Sequence, residues 1–287
     1  MLFQKKTEKE EKEPQYYESA TKMPTLNYKV YYMSVKEKIL YSLLAFVVGA
    51  AVGYIFYGGI GSDEFGDPTA ITRILNIAIP SVTGVIATII FLPIRTKQII
   101  NKRCRLLNLQ FRDMLEGLDT SFGSGKNVPD AFAAVLEDMR MQYEEGAFIV
   151  DELEIIQNGL LNNIPIEDML DDFSVRSGNI DVKSFADVFR ISYRKGGNMK
   201  DIIKKTHSIL SDKMEVNEEI ETAVSASKME QNLILVMPVA IVAMIKFSST
   251  DFAANFTSGS GLVSTTIAIV LFIVAYLIGK KILSIKA

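Results

Sequence analysis

The sequence predicts an all-α membrane protein with four transmembrane helices and one helical domain between the second and third of them. Four apolar stretches are candidates for spans, two before and two after a long charged segment. In that charged segment, apolar residues recur every three or four positions, which is typical of helices, and the alternation typical of strands is absent. The predicted fold is therefore a polytopic membrane protein that carries a helix bundle.

The first pair of spans is predicted at residues 39–60 and 74–94, where no charged residue occurs. Twenty helical residues rise about 30 Å, which is the thickness of the hydrocarbon core, so each stretch is long enough to cross it. Pro80 and Gly84 lie within the second stretch. Both residue types are tolerated in helices surrounded by lipid, so these residues do not exclude a span.

The second pair of spans is predicted at residues 232–247 and 262–278. The third span is short and contains Lys246, so it crosses the bilayer only if the lysine side chain reaches the interface. The fourth span ends before Lys280 and Lys281, which suit the membrane interface. Together the pairs form two transmembrane hairpins, at 39–94 and 232–279.

The distribution of basic residues predicts the orientation, because Lys and Arg near span ends stay on the cytoplasmic side. Such residues precede the first span and follow the second and fourth spans: Lys36, Lys38, Arg95, Lys97, Lys102, Arg103, Arg105, Lys280, Lys281 and Lys286. The loops 61–73 and 248–261 contain more acidic than basic residues. The tail 1–38, which we expect to be disordered to about Glu13, the central segment and the tail 280–287 are thus predicted to be cytoplasmic.

The central segment, residues 95–231, is predicted to form a cytoplasmic six-helix bundle. Turn residues divide it at 123–127, 145–146, 162–163 and 196–198. The apolar residues between these turns share one helical face, which would form the core of the bundle. We expect the last helix to begin at Asn198 and to lead directly into the third span.

Composition argues against several function classes. Residues 104–231 contain 14 Lys and Arg against 24 Asp and Glu, so no nucleic-acid partner is expected. One Cys and one His in the whole chain predict neither an intramolecular disulfide nor a zinc site. The Gly-Ser-Gly-Lys run at 123–126 lacks the full spacing of a phosphate loop. We therefore predict no catalytic, cofactor-binding or metal-binding residues, and no enzymatic activity.

Two groups of residues are candidates for partner binding. The first is a set of acidic residues: Glu137, Asp138, Glu144 and Glu145. They are either solvated positions on helices or a docking surface for a basic soluble protein. The second is the turn formed by Gly196, Gly197 and Asn198, which follows two basic residues. This turn either binds an anion or only caps two consecutive helices.

Four motifs resemble the type II secretion system F domain over about Gln110 to Phe247. They are Gln-Phe-Arg-Asp-Met-Leu at 110–115, Ser-Gly-Lys-Asn-Val-Pro-Asp-Ala-Phe at 124–132, Pro-Ile-Glu-Asp-Met-Leu at 165–170 and Arg-Lys-Gly-Gly-Asn-Met at 194–199. The last is similar to the family's hallmark Gly-Gly-Asn-Leu, and Pro238 matches a proline common in its span. Arg112 replaces the family's usual proline, and the chain has one domain copy where many members have two. A single flanked copy resembles the tight adherence (Tad) pilus proteins of the TadB and TadC type, TadB more closely.

The resemblance implies a platform protein of the cytoplasmic membrane in a type II secretion or type IV (Tad) pilus assembly machine. The implied partners are a hexameric secretion ATPase, pilin subunits, the lipid bilayer and a second F-domain protein or a second copy of this chain. An alternative is a transporter or channel subunit with a regulatory helical domain. It would require buried polar residues in the spans, where only small groups such as Ser42, Asn76, Ser81 and Thr83 occur. A signalling receptor would need a larger domain outside the membrane.

Overall fold

The computed structural model describes residues 13–19, 21–62, 68–196 and 198–283. The helices are α1 Val35–Tyr57, α2 Ala70–Gly123, α3 Val128–Gln142, α4 Phe148–Leu161, α5 Ile166–Ser177, α6 Ile180–Lys195, α7 Met199–Ser248, α8 Thr250–Thr257 and α9 Gly259–Leu283. Two short strands precede them, β1 Tyr16–Glu18 and β2 Pro24–Leu26. Some of the predictions fall outside the described residues. They are the disorder expected before Glu13 and the charges of Asp63, Glu64, Asp67 and Lys286.

The predicted helical character is confirmed, and four helices are candidates for the predicted spans. Helices α1, α2, α7 and α9 are long and apolar enough to cross a membrane, and their most apolar windows have mean hydropathies of 1.7 to 2.5. At most 11% of the residues in each of these windows are buried within the protein, as expected for helices whose partner is lipid. The helices α2 and α7 extend well beyond the predicted spans, and α8 lies within the predicted loop 248–261.

The chain divides into two compact units. The first, which we call the helical domain, comprises Met1–Tyr32 and Thr96–Lys213. The second, which we call the membrane unit, comprises Met33–Arg95 and Met214–Ala287 and contains the predicted spans. The described residues between Glu13 and Tyr32 therefore belong with the helical domain, although the sequence suggested only a tail there.

Small residues allow α1 and α2 to approach closely in the membrane unit. A Cβ at Gly49 would lie 2.5 Å from the Cβ of Ala87, and a Cβ at Gly53 would overlap the side chain of Thr83. The Thr83 hydroxyl donates a hydrogen bond to the Gly49 carbonyl at 3.1 Å. Close backbones and hydrogen bonds from hydroxyl groups hold helices together where no water is present. The predicted first hairpin is thus a packed helix pair.

Lys246 caps the end of α1 within the membrane unit. Its ammonium donates to the carbonyls of Gly58 at 2.6 Å and Ile55 at 3.0 Å, and lies 5.7 Å from the centre of the Phe256 ring. Carbonyls at a helix C-terminus lack intrahelical partners and carry partial negative charge. The one charge in the predicted third span is therefore satisfied by protein carbonyls.

Enlarging Gly49 should separate α1 from α2. In Gly49→Leu the added side chain meets Ala87, so we expect a loss of about 1–3 kcal/mol of stability, seen as a lower melting temperature of the full chain in detergent. The matched control is Ala51→Leu, which adds bulk at an exposed position of the same helix. Equal melting temperatures for the two variants would contradict the packing described here.

A row of aromatic rings runs through the core of the helical domain. Phe111 of α2 packs on Phe173 of α5 and Phe185 of α6, with ring centres 6.1 and 5.6 Å apart. Phe185 is followed by Phe189 at 5.7 Å, and Phe189 by Tyr193 at 5.7 Å. The four phenylalanines are buried and Tyr193 is exposed, so the row leads from the core to the surface at the end of α6.

The N-terminal hairpin is a feature that the sequence did not predict. Strands β1 and β2 pair antiparallel, with Tyr17 opposite Thr25. Tyr28, which follows the hairpin, is only 1% exposed. Its backbone N–H donates to the carbonyl of Arg176 at the end of α5 at 3.0 Å. This N-terminal segment is therefore part of the core of the helical domain.

Candidate functional site

The four acidic candidates lie at one end of α3. Glu137 and Asp138 are in its last turns and Glu144 and Glu145 are in the turn that follows, and all four are exposed. Glu137 accepts a hydrogen bond from Arg140 at 2.8 Å, so part of its charge is neutralised locally. We call these four residues the acidic surface.

The turn between α6 and α7 starts with the glycine cap that the sequence suggested. Gly196 has a φ of +67°, a conformation that glycine adopts without strain, and its N–H donates to the Ser192 carbonyl. The side-chain amide of Asn198 donates to the Asp201 carboxylate at 2.6 Å. Gly197, the third candidate in this turn, lies outside the described residues.

The structure brings this turn next to the turn between α2 and α3. Together they border an open groove of about 450 Å³. The lining residues are Phe122, Lys126, Asn127, Val128, Pro129, Tyr193, Asn198, Met199 and Lys200. We call it the basic groove. It combines two motifs that the sequence analysis considered separately, 123–127 and 194–199.

Local sequence explains why α3 begins at the groove. Asn127 is the N-cap residue, and its side-chain oxygen accepts a hydrogen bond from the Asp130 N–H at 2.9 Å. Pro129 occupies the first turn, where its missing N–H costs nothing. Gly125, with a φ of +84°, reverses the chain between α2 and α3. The turn residues thus place Lys126 on the rim of the groove.

Tyr193 forms the wall of the groove contributed by α6. Its ring stacks on that of Phe189 with an interplanar angle of 24°. Phe189 also meets Phe132 of α3 edge to face, with ring centres 6.1 Å apart. Because buried rings hold Tyr193 from behind, this wall is fixed by the core rather than by the turn itself.

Two exposed lysines border the groove although the domain is acidic. Lys126 and Lys200 are exposed, and neither makes an ion pair within the described part of the chain. The beginnings of α3 and α7 both lie at the groove, but Asp130 and Asp201 in their first turns offset the partial positive charge of these helix ends. The nearby Arg194 is already paired with Glu167, at 3.3 Å. The two lysines are therefore the cations that the groove offers to a partner.

The acidic surface and the basic groove do not form one site. Val128 lines the groove at the start of α3, whereas Glu137 lies near the end of that helix. The intervening residues rise about 14 Å along the helix axis. Opposite charges are therefore presented at the two ends of one rigid element.

A buried ionic cluster, which the sequence analysis missed, joins the N-terminal segment to α4 and α5. Arg176 forms two 2.6 Å hydrogen bonds with the Glu152 carboxylate and a third, at 2.8 Å, with Asp172. The Tyr28 hydroxyl donates a hydrogen bond to Glu152 at 2.8 Å, and Arg176 donates another to the Leu26 carbonyl at 3.3 Å. Arg176 and Glu152 are 1% and 2% exposed. Tyr28, Glu152 and Arg176 are far apart in the sequence, so no local motif indicates the cluster.

Burial and neighbouring charges shift the pKa values of three residues in this cluster. Burial raises the pKa of the Glu152 carboxyl, while the hydrogen bonds from Arg176 and Tyr28 act in the opposite direction. The pKa of Arg176 stays above its ordinary value because the carboxylates of Glu152 and Asp172 offset its burial. Burial and the neighbouring Glu152 charge raise the pKa of Tyr28, which therefore remains a hydrogen-bond donor. The geometry is that of a bidentate pair, in which Arg176 donates to both oxygens of Glu152, beside a phenol that donates to the same carboxylate.

Cys104 of α2 lies beside Tyr28, so its accessibility depends on the position of the N-terminal segment. Its thiol lies 3.9 Å from the carbonyl of Tyr28, and burial raises the pKa of the half-buried thiol. It is the only cysteine in the chain. Among the residues that the structure describes, no group of three His, Cys, Asp or Glu side chains is placed to hold a metal ion.

Comparisons of the chain with protein-family models, with curated proteins and with solved structures find no match. The resemblance to the F domain therefore depends on the motifs themselves. Two of these motifs, at 124–132 and 194–199, border the basic groove.

Breaking the cluster should release the N-terminal segment. In Arg176→Met the buried Glu152 loses its partner, a change that costs about 3–5 kcal/mol in other buried pairs. We expect maleimide labelling of Cys104 in the full chain to become at least about tenfold faster, since about 1.4 kcal/mol is tenfold in an equilibrium constant.

The matched control for this prediction is Arg190→Met. Arg190 is half-buried and pairs with Asp171 at 3.0 Å, outside the cluster, so its loss should leave labelling of Cys104 unchanged. Labelling of Arg176→Met at the wild-type rate would show that the cluster does not hold the segment in place.

Proposed function

We propose that this chain is a membrane platform protein of a type II secretion or type IV (Tad) pilus assembly machine. The observation that carries the proposal is the position and length of the helix α7. It directly follows the motif at 194–199 that resembles the family's hallmark turn, and it continues without a break from Met199 to Ser248, through the predicted third span. The turn at 196–198, which is proposed to contact a soluble partner, is therefore joined to a predicted span by a single helix.

We infer that the helical domain is cytoplasmic and works as a six-helix bundle. Helices α3 to α6 and the parts of α2 and α7 assigned to this domain supply six helical segments. The basic residues flanking the spans support the cytoplasmic placement of this domain and of both termini. Such a domain offers a surface to a hexameric secretion ATPase on the side where ATP is available.

Mechanically, the proposal requires that force from the ATPase reach the membrane. The ATPase would contact the acidic surface and the turn at 196–198, and α2 and α7 would carry the movement to the spans. Both are long uninterrupted helices, of 54 and 50 residues. Small displacements of packed elements are a common form of conformational coupling. Pilin subunits would then be extracted from the bilayer beside the spans, with a second F-domain protein or a second copy completing the platform.

The proposed role is structural rather than enzymatic. The observed polar contacts in the spans serve packing: Thr83 and Thr88 donate to backbone carbonyls, and Lys246 caps α1. An ion or substrate path would instead use such groups as ligands along a cavity. These contacts argue against the transporter or channel alternative.

Deleting the gene should abolish fibre assembly while pilin and ATPase levels stay unchanged. The reason is that the platform between the ATPase and the pilins would lack an essential part. Surface fibres are counted by electron microscopy and restored by the wild-type gene in trans. Normal fibres and normal secretion in the deletion strain would refute the proposed function.

Reversing charge on the acidic surface should weaken binding to the secretion ATPase. For Glu144→Lys/Glu145→Lys we expect affinity to fall about tenfold at about 0.05 M salt and to approach wild type at about 0.5 M, because salt screens exposed charges. The matched control is Glu218→Lys/Glu219→Lys, which makes the same charge change at exposed positions of α7. Equal affinities for both variants at every salt concentration would dismiss the acidic surface as the docking site.

A further inference from the structure

We propose that the basic groove docks an acidic segment of a partner protein, with one large apolar side chain inserted between flanking carboxylates. The acidic surface alone predicts a basic partner. The groove adds a second requirement, of opposite charge, at the other end of α3. The inference concerns the chemistry of the docked segment and does not depend on the partner being a secretion ATPase.

The lining of the groove determines the kind of side chain it accepts. Phe122 of α2 and Val128 and Pro129 of α3 form one side of the groove, and Tyr193 of α6 and Met199 of α7 form the other. These five side chains give the groove, whose volume is about 450 Å³, an apolar lining. A free inorganic anion would leave that surface exposed to water, whereas an aromatic or long aliphatic side chain would cover it.

The rim of the groove determines the charge of the docked segment. Lys126 and Lys200 stand on the two sides of the groove, and neither has an ion-pair partner in the part of the chain that the structure describes. The stretch 194–205 contains five Lys and Arg and one Asp, in a segment that is otherwise acidic. Carboxylates on either side of the inserted side chain would pair with these two lysines.

The occupant cannot be the acidic surface of the same molecule. That surface lies about 14 Å farther along α3, a rigid helix that starts in the groove itself. The acidic surface of the same molecule is thus excluded, and the proposed occupant is a segment of a partner protein. A partner with a basic region and, at a similar separation, an acidic segment would match both ends of α3.

The test uses a fluorescein-labelled peptide, Gly-Glu-Glu-Phe-Glu-Glu-Gly, and the purified full chain in detergent. Fluorescence polarisation should show saturable binding at about 0.05 M salt that weakens as salt screens the charges. Lys126→Glu/Lys200→Glu should reduce the affinity at least tenfold. Lys102→Glu/Lys183→Glu, with the same charge change at exposed positions about 15 Å or more from the groove along α2 and α6, should bind as wild type. Replacing the peptide's Phe by Ala should reduce affinity at least fivefold.

Three results would overturn the proposal. Equal affinity of the two lysine variants would exclude the groove as the site. Equal affinity of the Phe and Ala peptides, together with displacement by millimolar inorganic phosphate, would indicate a simple anion site. Concentration-dependent self-association that Lys126→Glu/Lys200→Glu abolishes would identify the occupant as a second copy of this chain. Equal melting temperatures of all variants exclude unfolding as the cause of any loss.

Discussion

The helical domain depends on the burial of one charge, that of Arg176. A guanidinium removed from water must have its donors satisfied, and those of Arg176 contact Glu152, Asp172 and the Leu26 carbonyl. These partners come from α4, from α5 and from the N-terminal segment. If any one of them withdraws, a buried charge is left incompletely paired. The cluster therefore fixes one arrangement of three parts of the chain that are distant in sequence.

That arrangement explains why a short N-terminal segment is ordered at all. A hairpin with three-residue strands has too few contacts to be stable alone in water. Here Tyr28 donates to Glu152 and packs edge to face on Phe148, with ring centres 5.4 Å apart. The hairpin is stable because its end is anchored in the core. The same core positions the aromatic row that ends at Tyr193, and so supports one wall of the basic groove.

Much of the architecture could be predicted from local sequence, because spans and amphipathic helices are periodic or compositional features. The apolar runs, Pro129 in a first turn and the break at Gly196 belong to this class. The cluster and the groove do not. Arg176, Glu152 and Tyr28 each look like ordinary residues, since the signal is their proximity. Likewise, both turns of the groove were recognised as turns, but only the packing of α2, α3, α6 and α7 brings them together.

The native partners of this chain give the most direct test of whether it connects a secretion ATPase to pilin assembly. The tagged full chain is extracted from its own membrane in a mild detergent, and the proteins that accompany it are identified by mass spectrometry. We expect recovery of a hexameric secretion ATPase, pilin subunits or a second F-domain protein. Repeated recovery of transporter or receptor subunits in their place would contradict it.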